Sequence, residues 1–311
     1  MIIKAKTNKT ALSYFKREES KKEIIYFDKI KVAIISQFRD EAKYLKEWIE
    51  FHLMVGFDKF YLIDHCSNDN PKEVLQPYID QGVVVLYREN NETNFEDNGA
   101  NNITRTHNLW ELNINRIVNS VKEDWFIFLN QDEFIFTLEN FTNIKEYLLS
   151  VPVDVGHVGV CNKTFSHNDY VLKEKELLIE KLIKCGSEKD NSNAAGHHCW
   201  TKSFVKKSAF ESYTNVHYAN IKKDYKRTDV LFDENNIHSE KNRTIKPIFD
   251  KIRINHYRWR DYHYAFEKVA MYEKWGSVSF TLSLAKTTFE DDYDYEIHKY
   301  LPELKERMGI K

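Results

Sequence analysis

Three short apolar runs, separated by two helical patterns and each closing on charged or polar residues, constrain this chain most. Val32–Ile35, Phe60–Ile63 and Val83–Tyr87 are continuous apolar runs, as expected of strands buried on both faces. Between the first two, Leu45, Trp48, Ile49 and Leu53 fall on one face at helical spacing, and Gly56 stands where a helix ends on a glycine. Between the second and third, a loop, Ser67-Asn68-Asp69-Asn70-Pro71, leads into a shorter helical stretch, Lys72–Ile79. This β-α-β-α-β alternation predicts an α/β fold with a mostly parallel sheet flanked by helices.

The pattern continues beyond it. Residues 90–103 are rich in Asn and read as a loop, and 104–121 as a helix. Trp125–Leu129 is another buried-strand run, ending at Asn130-Gln131-Asp132-Glu133-Phe134. Residues 156–160, 200–205 and 251–256 read as strands, 261–275 as a helix, and the charged tail beyond Tyr293 as helical. With only 9 Gly and 5 Pro in 311 residues, no long linker is expected. The organisation predicted is a polar extension over 1–30, one α/β domain over 31–280 and a helical tail over 281–311.

Composition excludes several classes. Hydrophobic residues at 42% suffice for a large core. A net charge of −2 with no basic stripe argues against a nucleic-acid partner. The four Cys form no CxxC pair, which disfavours a zinc ribbon or redox motif and fits reduced thiols. His197-His198 beside Cys199 lacks the second ligand pair a soft-metal site needs. No apolar run of about 18 residues occurs, so no transmembrane helix is expected, and the N-terminus lacks a secretory apolar segment. The expectation is a cytoplasmic protein with at most peripheral contact at the inner membrane face.

In open α/β sheets, ligands sit beyond the carboxyl ends of the strands. Three clusters fall there: Arg39-Asp40-Glu41, then Asp64 with Ser67 and Asp69, then Asp132-Glu133. Carboxylates directly after a strand suit a hard divalent cation, which is typically held by one or two of them plus substrate phosphates. Each cluster has a plainer reading too: a solvated turn for Asp132-Glu133, the acidic first turn of a helix for Asp40-Glu41, and an ordinary loop for Asp64–Asn70.

Together they form a recognisable pattern. The stretch RDEAKYLKEWIEFHLMVGFDKFYLIDHCSND resembles the opening of family 92 glycosyltransferases and their bacterial relatives in the family 2-like group. Its counterparts are Arg39-Asp40-Glu41, Tyr44 to His52, Gly56-Phe57-Asp58 and Asp64 to Asp69. WFIFLNQDEF resembles the family's metal-site strand, usually D-x-D-E-F. Thr201 to Val205 resembles its K-S-I-V strand, His217-Tyr218 its H-[FY], and Asn255-His256-Tyr257 its N-H-Y segment, followed by a helix with a recurrent lysine at Lys268. The similarity runs from about 31 to 275. In the first motif, Arg39 replaces lysine and Asp40 replaces asparagine; in the metal motif, Asn130 replaces the first aspartate.

The resemblance implies a GT-A fold with a mixed, mostly parallel central sheet, a nucleotide-sugar donor (a UDP-sugar), Mn²⁺ or Mg²⁺, a glycan or glycolipid acceptor, and an inverting mechanism. It places donor binding at Phe38, Arg39, Glu41, Asp64, Arg258 and Arg260, and the metal at Asp132, Asn130 and His256. Glu133 and Asp169 are the candidates for the catalytic base. Trp200, Trp259 and Tyr262 are either sugar-stacking residues or core. Two alternatives stand beside this one. A sugar nucleotidyltransferase would need a Gly-rich phosphate loop, and QFRDE has no glycine. A non-catalytic nucleotide- or carbohydrate-binding module is kept open by Asn130.

Overall fold

The computed structural model describes residues 29–88, 114–138, 140–186, 199–215, 218–237, 243–274 and 292–310. The predicted opening is present. β1 (Val32–Phe38), α1 (Ala42–Met54), β2 (Lys59–Asp64), α2 (Pro71–Asp80) and β3 (Val84–Arg88) form a parallel β-α-β-α-β unit. β4 (Trp125–Phe128) joins the other side of β1 in parallel register, Ala33 opposite Phe126. These strands carry almost unbroken apolar side chains because helices cover one face and the segment at 114–121 covers the other.

Beyond β4 the sheet becomes mixed. The later strands are β5 (Glu133–Thr137), β6 (Val155–Thr164), β7 (Lys184–Cys185), β8 (Thr201–Lys206), β9 (Phe210–Asn215), β10 (Tyr218–Ile221), β11 (Lys226–Asp229), β12 (Ile252–His256) and β13 (Asp292–Tyr293). The main sheet runs β3-β2-β1-β4-β8-β6-β12-β5, with β11 also paired to β6. Most pairings are parallel; β8 runs antiparallel to both neighbours and β5 antiparallel to β12. This is the helix-flanked, mostly parallel α/β sheet that the resemblance implied.

Strands 125–128, 201–206 and 252–256, and the helix Tyr262–Lys274, match the sequence expectation within a residue or two. Others were not legible. β5 opens on a glutamate, so its apolar alternation is short, and it becomes a strand only through pairing with β12. β6 continues past the expected 160 because Asn162–Thr164, polar in sequence, pair with Ile254–His256. The β9–β10 hairpin and β11 are polar in sequence and were missed. Residues 114–120 are helical; the rest of the 90–113 expectation, His197-His198, His217 and residues 1–28 lie outside the described residues. Within the expected tail, Glu296–Tyr300 and Leu301–Met308 are helical while Asp292–Tyr293 is a strand, and the segment is pinned to the body: β13 pairs with β7, and Asp294 lies between Lys163 and Arg253. All four cysteines are free thiols.

α1 is the central packing helix. Tyr44, Leu45, Trp48, Ile49, Phe51 and His52 are buried along it. His52 Nδ1 lies 2.7 Å from the Trp48 carbonyl, and its Nε2 accepts the Ile135 N–H at 3.3 Å, which requires the neutral Nδ1-protonated tautomer. Burial lowers the imidazole to about 3, consistent with that neutral form. Glu47, on the same helix, is buried and accepts the N–H groups of Leu178 and Ile179 at 3.0 and 3.2 Å.

Burial raises the Glu47 carboxyl to about 7, against the pull of those two N–H donors. A raised folded-state pKa adds stability that is complete below the unfolded value, about 4.3, and is lost as pH climbs through about 7. The stability of Glu47→Gln relative to wild type is therefore expected to rise by roughly 2–3 kcal/mol between pH 4.5 and pH 7.5, read from urea unfolding at several pH values. A constant difference across that range would refute the assignment.

Candidate active site

The carboxyl ends of β1, β2 and β4 converge with the start of β5 and the end of β12. The chain leaves β4, turns through Leu129 to Asp132 and enters β5 at Glu133. Four elements hold this turn. From β1, the Ser36 hydroxyl bonds the Leu129 carbonyl and accepts the Gln131 amide at 2.6 Å. From α1, the Trp48 indole donates to the Glu133 carbonyl at 2.9 Å. The Tyr257 N–H, just after β12, donates to the Asp132 carbonyl at 2.8 Å. From β8, the Lys202 ammonium stands 3.4 Å from Glu133 Oε2, which also accepts the Asn130 N–H at 2.8 Å.

This frame presents Asp132 at its apex. Its Oδ2 lies 3.6 Å from His256 Nε2, and its Oδ1 is buried without a hydrogen-bond partner among the described residues. Burial alone would raise this carboxyl; His256, then Arg260 and Lys268, outweigh that and hold it well below the usual carboxylate range. Asp132 is therefore ionised at neutral pH. Asn130 is half-buried two residues away. Among the described residues, no group of three or more His, Cys, Asp or Glu side chains converges on one point. The tertiary structure thus brings Asp132 and His256 together, as a pair of possible ligands rather than a closed cage.

The segment after β12 closes over this pair. Arg260 is only 1% exposed, at a left-handed φ of 44°. Its Nη2 pairs with Glu41 Oε2 at 2.8 Å, and its guanidinium lies between the Tyr44 and Tyr264 rings, 4.8 and 4.3 Å from their centroids. The Tyr264 hydroxyl donates to Glu41 Oε1 at 2.8 Å. Burial opposes the arginine's charge, yet Glu41, Tyr264 and Asp132 push its pKa above the ordinary value. Asp261 accepts from the Lys43 ammonium and the Tyr44 hydroxyl at 2.9 and 3.2 Å. Two aromatic faces and a carboxylate compensate the desolvated guanidinium, which suits Arg better than Lys.

The other candidates are distributed around this centre. Phe38 and Asp64 end adjacent strands in register and are buried. Asp64 Oδ1 accepts the Ser67 N–H at 2.9 Å, and its Oδ2 lies 3.5 Å from Arg88 Nε. Asp40, with φ at 55°, donates its N–H to the Ser67 hydroxyl at 2.9 Å, tying the first βα corner to the second. Arg39 is half-buried beside Asp40. Arg258 lies 5.4 Å from the Trp259 ring. Asp169 is exposed in the loop after β6, whose Phe165 N–H donates to the His256 carbonyl and whose Tyr170 carbonyl accepts the Tyr262 N–H. Trp259 is buried against Ala265 and Val269, whereas Trp200 stacks on Arg243 at 4.2 Å. Two of the candidates are interior. Glu133 has no exposed surface and faces Lys202 and the Asn130 N–H. Arg260 is interior, held by Glu41 and two tyrosines. Lys202, Tyr44 and Tyr264 were not singled out as site residues from the sequence. The available signal for Lys202 was a charge inside an otherwise apolar strand, and for the tyrosines only their spacing on helices.

A family model described as glycosyltransferase family 92 matches residues 28–274. The chain belongs to this family. No curated protein matches the sequence. Solved structures similar to this family member include S. aureus TarS 1–349 in complex with UDP, at 12% identity over 58% of this chain and 47% of that one, TM-score 0.32. A second is glucosyl-3-phosphoglycerate synthase from Mycobacterium tuberculosis with Mn²⁺, UDP and glucosyl-3-phosphoglycerate, at 9% identity over 59% of each chain, TM-score 0.28. A third is a putative glucose-1-phosphate thymidylyltransferase from Bacillus anthracis with sucrose, at 9% identity over 57% and 72%, TM-score 0.31. The chain spans less than two thirds of the length of the first two. Assignment to the family rests on the family match. No helix among the described residues is long and apolar enough to cross a membrane.

The Glu41–Arg260 pair is testable as a lock between the segments that follow β1 and β12. Glu41→Ala leaves a buried, uncompensated guanidinium and is expected to lower stability by roughly 3–5 kcal/mol. Adding Arg260→Met should recover most of that loss, and urea unfolding of the single and double variants measures the coupling. Losses that simply add would show that the two side chains do not depend on each other.

Proposed function

We propose that this family 92 member transfers a sugar from a nucleotide-sugar donor, a UDP-sugar, to a hydroxyl of a glycan or glycolipid acceptor, with a divalent cation and inversion at the anomeric carbon. The observation that carries the reading is the Asp132–His256 pair at the carboxyl ends of the strands, with Asp132 Oδ1 buried and unpartnered. Two ligands of one Mg²⁺ or Mn²⁺, each about 2.1 Å away, stand no more than about 4.2 Å apart. The 3.6 Å between Asp132 Oδ2 and His256 Nε2 lies inside that span. A buried carboxylate oxygen without a donor is costly unless a charge comes to meet it. The residues therefore fit the cation: Asp132 and His256 would hold it, with the Asn130 amide oxygen as a neutral third ligand. When bound, it would neutralise the negative charge that grows on the diphosphate as the glycosidic bond breaks.

The chain's own groups do the rest. Phe38, Arg39 and Asp64, at the ends of β1 and β2, would seat the base and ribose, and Arg258 the diphosphate. Glu41 and Arg260 shape that wall while holding each other. We assign the base to Asp169, exposed in the loop beside His256, rather than to the buried Glu133. Its carboxylate would take the proton from the acceptor hydroxyl as that oxygen bonds to the anomeric carbon. The nucleoside diphosphate would leave from the opposite face.

Asp132→Ala is expected to weaken Mn²⁺-dependent UDP binding by roughly 100-fold or more and to abolish sugar transfer, while urea unfolding stays close to wild type. Calorimetric titration of UDP, with Mn²⁺ and then with EDTA, measures the binding. An Asp132→Ala protein that still transfers sugar would overturn the reading.

A further inference from the structure

β8 places a lysine where a strand interior would carry an aliphatic residue. Lys202 lies opposite Val160 of β6 and has no exposed surface. Among the described residues its ammonium has no hydrogen-bond partner. It lies 3.4 Å from Glu133 Oε2 and 4.9 Å from the centre of the Phe128 ring. Glu133 is equally buried, and its second oxygen, Oε1, is unpartnered. Two desolvated charges bound this loosely do not explain themselves as stabilisers, because well-packed apolar residues usually serve stability as well or better.

Their position offers the explanation. Glu133 Oε2 accepts the Asn130 N–H and so closes the turn that carries Asn130 and Asp132. The other contacts on the turn hold carbonyls, Gln131 or the Leu129 N–H. Among the described residues, this carboxylate is what holds the Asn130 end by its N–H. Without a nearby cation, a carboxylate in this interior would be driven to leave or rearrange.

We propose that Lys202 is a positioning residue for the metal-site turn: it fixes the Glu133 carboxylate, which fixes the Asn130 N–H and thereby sets Asp132 against His256. This rests on the reading of Asp132 and His256 as cation ligands. It gives the charge within the T-K-S-F-V strand a role in the reaction without any contact with substrate.

The test is Mn²⁺ uptake in the presence of UDP, followed by the loss of the free-ion electron paramagnetic resonance signal, with thermal unfolding in EDTA measured alongside. Lys202→Met is expected to weaken Mn²⁺ binding about 10–100-fold. Two doubly substituted proteins remove both charges. In Lys202→Met/Glu133→Gln the amide oxygen can still accept the Asn130 N–H, and near-wild-type Mn²⁺ affinity is expected. In Lys202→Met/Glu133→Leu the turn loses that acceptor, and affinity should fall about 10–100-fold. These two decide the matter even if Lys202→Met alone does not fold. Equal Mn²⁺ affinity in the two doubly substituted proteins, or unchanged affinity in Lys202→Met whatever its melting temperature, would overturn the role of Lys202. A wild-type protein that takes up no Mn²⁺ would instead overturn the ligand reading of Asp132 and His256, and the role of Lys202 with it.

Discussion

The sharp turn from β4 into β5 is the constraint on which the rest of the site depends. β4 lies in the middle of the sheet and β5 at its edge, beside β12, so the chain must change direction within Leu129–Asp132 while surrounded by buried side chains. Backbone polar groups in such a place need partners, since an unpaired buried group costs about as much as a lost hydrogen bond. They are supplied from β1, from α1, from the residue after β12 and from the Glu133 side chain at the start of β5. Because the partners come from four separate elements, the turn takes this shape only once the sheet has assembled. Among the described residues, Asp132 Oδ1 is then left without a hydrogen-bond partner, as is Glu133 Oε1.

A second interaction joins two segments far apart in sequence. Glu41 stands just after β1 and Arg260 just after β12, and their ion pair is flanked by tyrosines from α1 and from the helix Tyr262–Lys274. Arg260 adopts a left-handed backbone conformation, which a non-glycine residue keeps only where its surroundings compensate. Burial works against the Asp132 charge; His256 first, then the Arg260 guanidinium and the Lys268 ammonium, hold that carboxylate below its usual range. Fold and electrostatics are thus the same set of contacts at this point.

Much of this was legible beforehand. The opening strands and helices could be read because each is apolar at its own period and long enough to show it. Asp132, Glu41 and Asp64 could be picked out because polar residues at the end of a buried strand fall at the edge where open α/β sheets bind ligands, and His256 because Asn255-His256-Tyr257 resembles a family segment. Illegible elements were those whose residues are polar until paired: β5, the end of β6, the β9–β10 hairpin and β11. The division of labour among carboxylates was also hidden. Asp132 and Glu133 are neighbours in sequence and look alike, yet strand alternation sends them to different surroundings, one toward His256 and the other toward Lys202.

Local pattern therefore determined the α/β class, the order of the opening elements and the family to which the chain belongs, because those follow from periodicity and short motifs. Tertiary structure decided which carboxylate faces a histidine and which faces a lysine, that Arg260 is interior, and that Glu47 is buried as an N–H acceptor for a distant turn. These are contacts between residues separated by scores to hundreds of positions. Their energies depend on burial and on partner distance, and neither quantity exists until the sheet has brought the strands together.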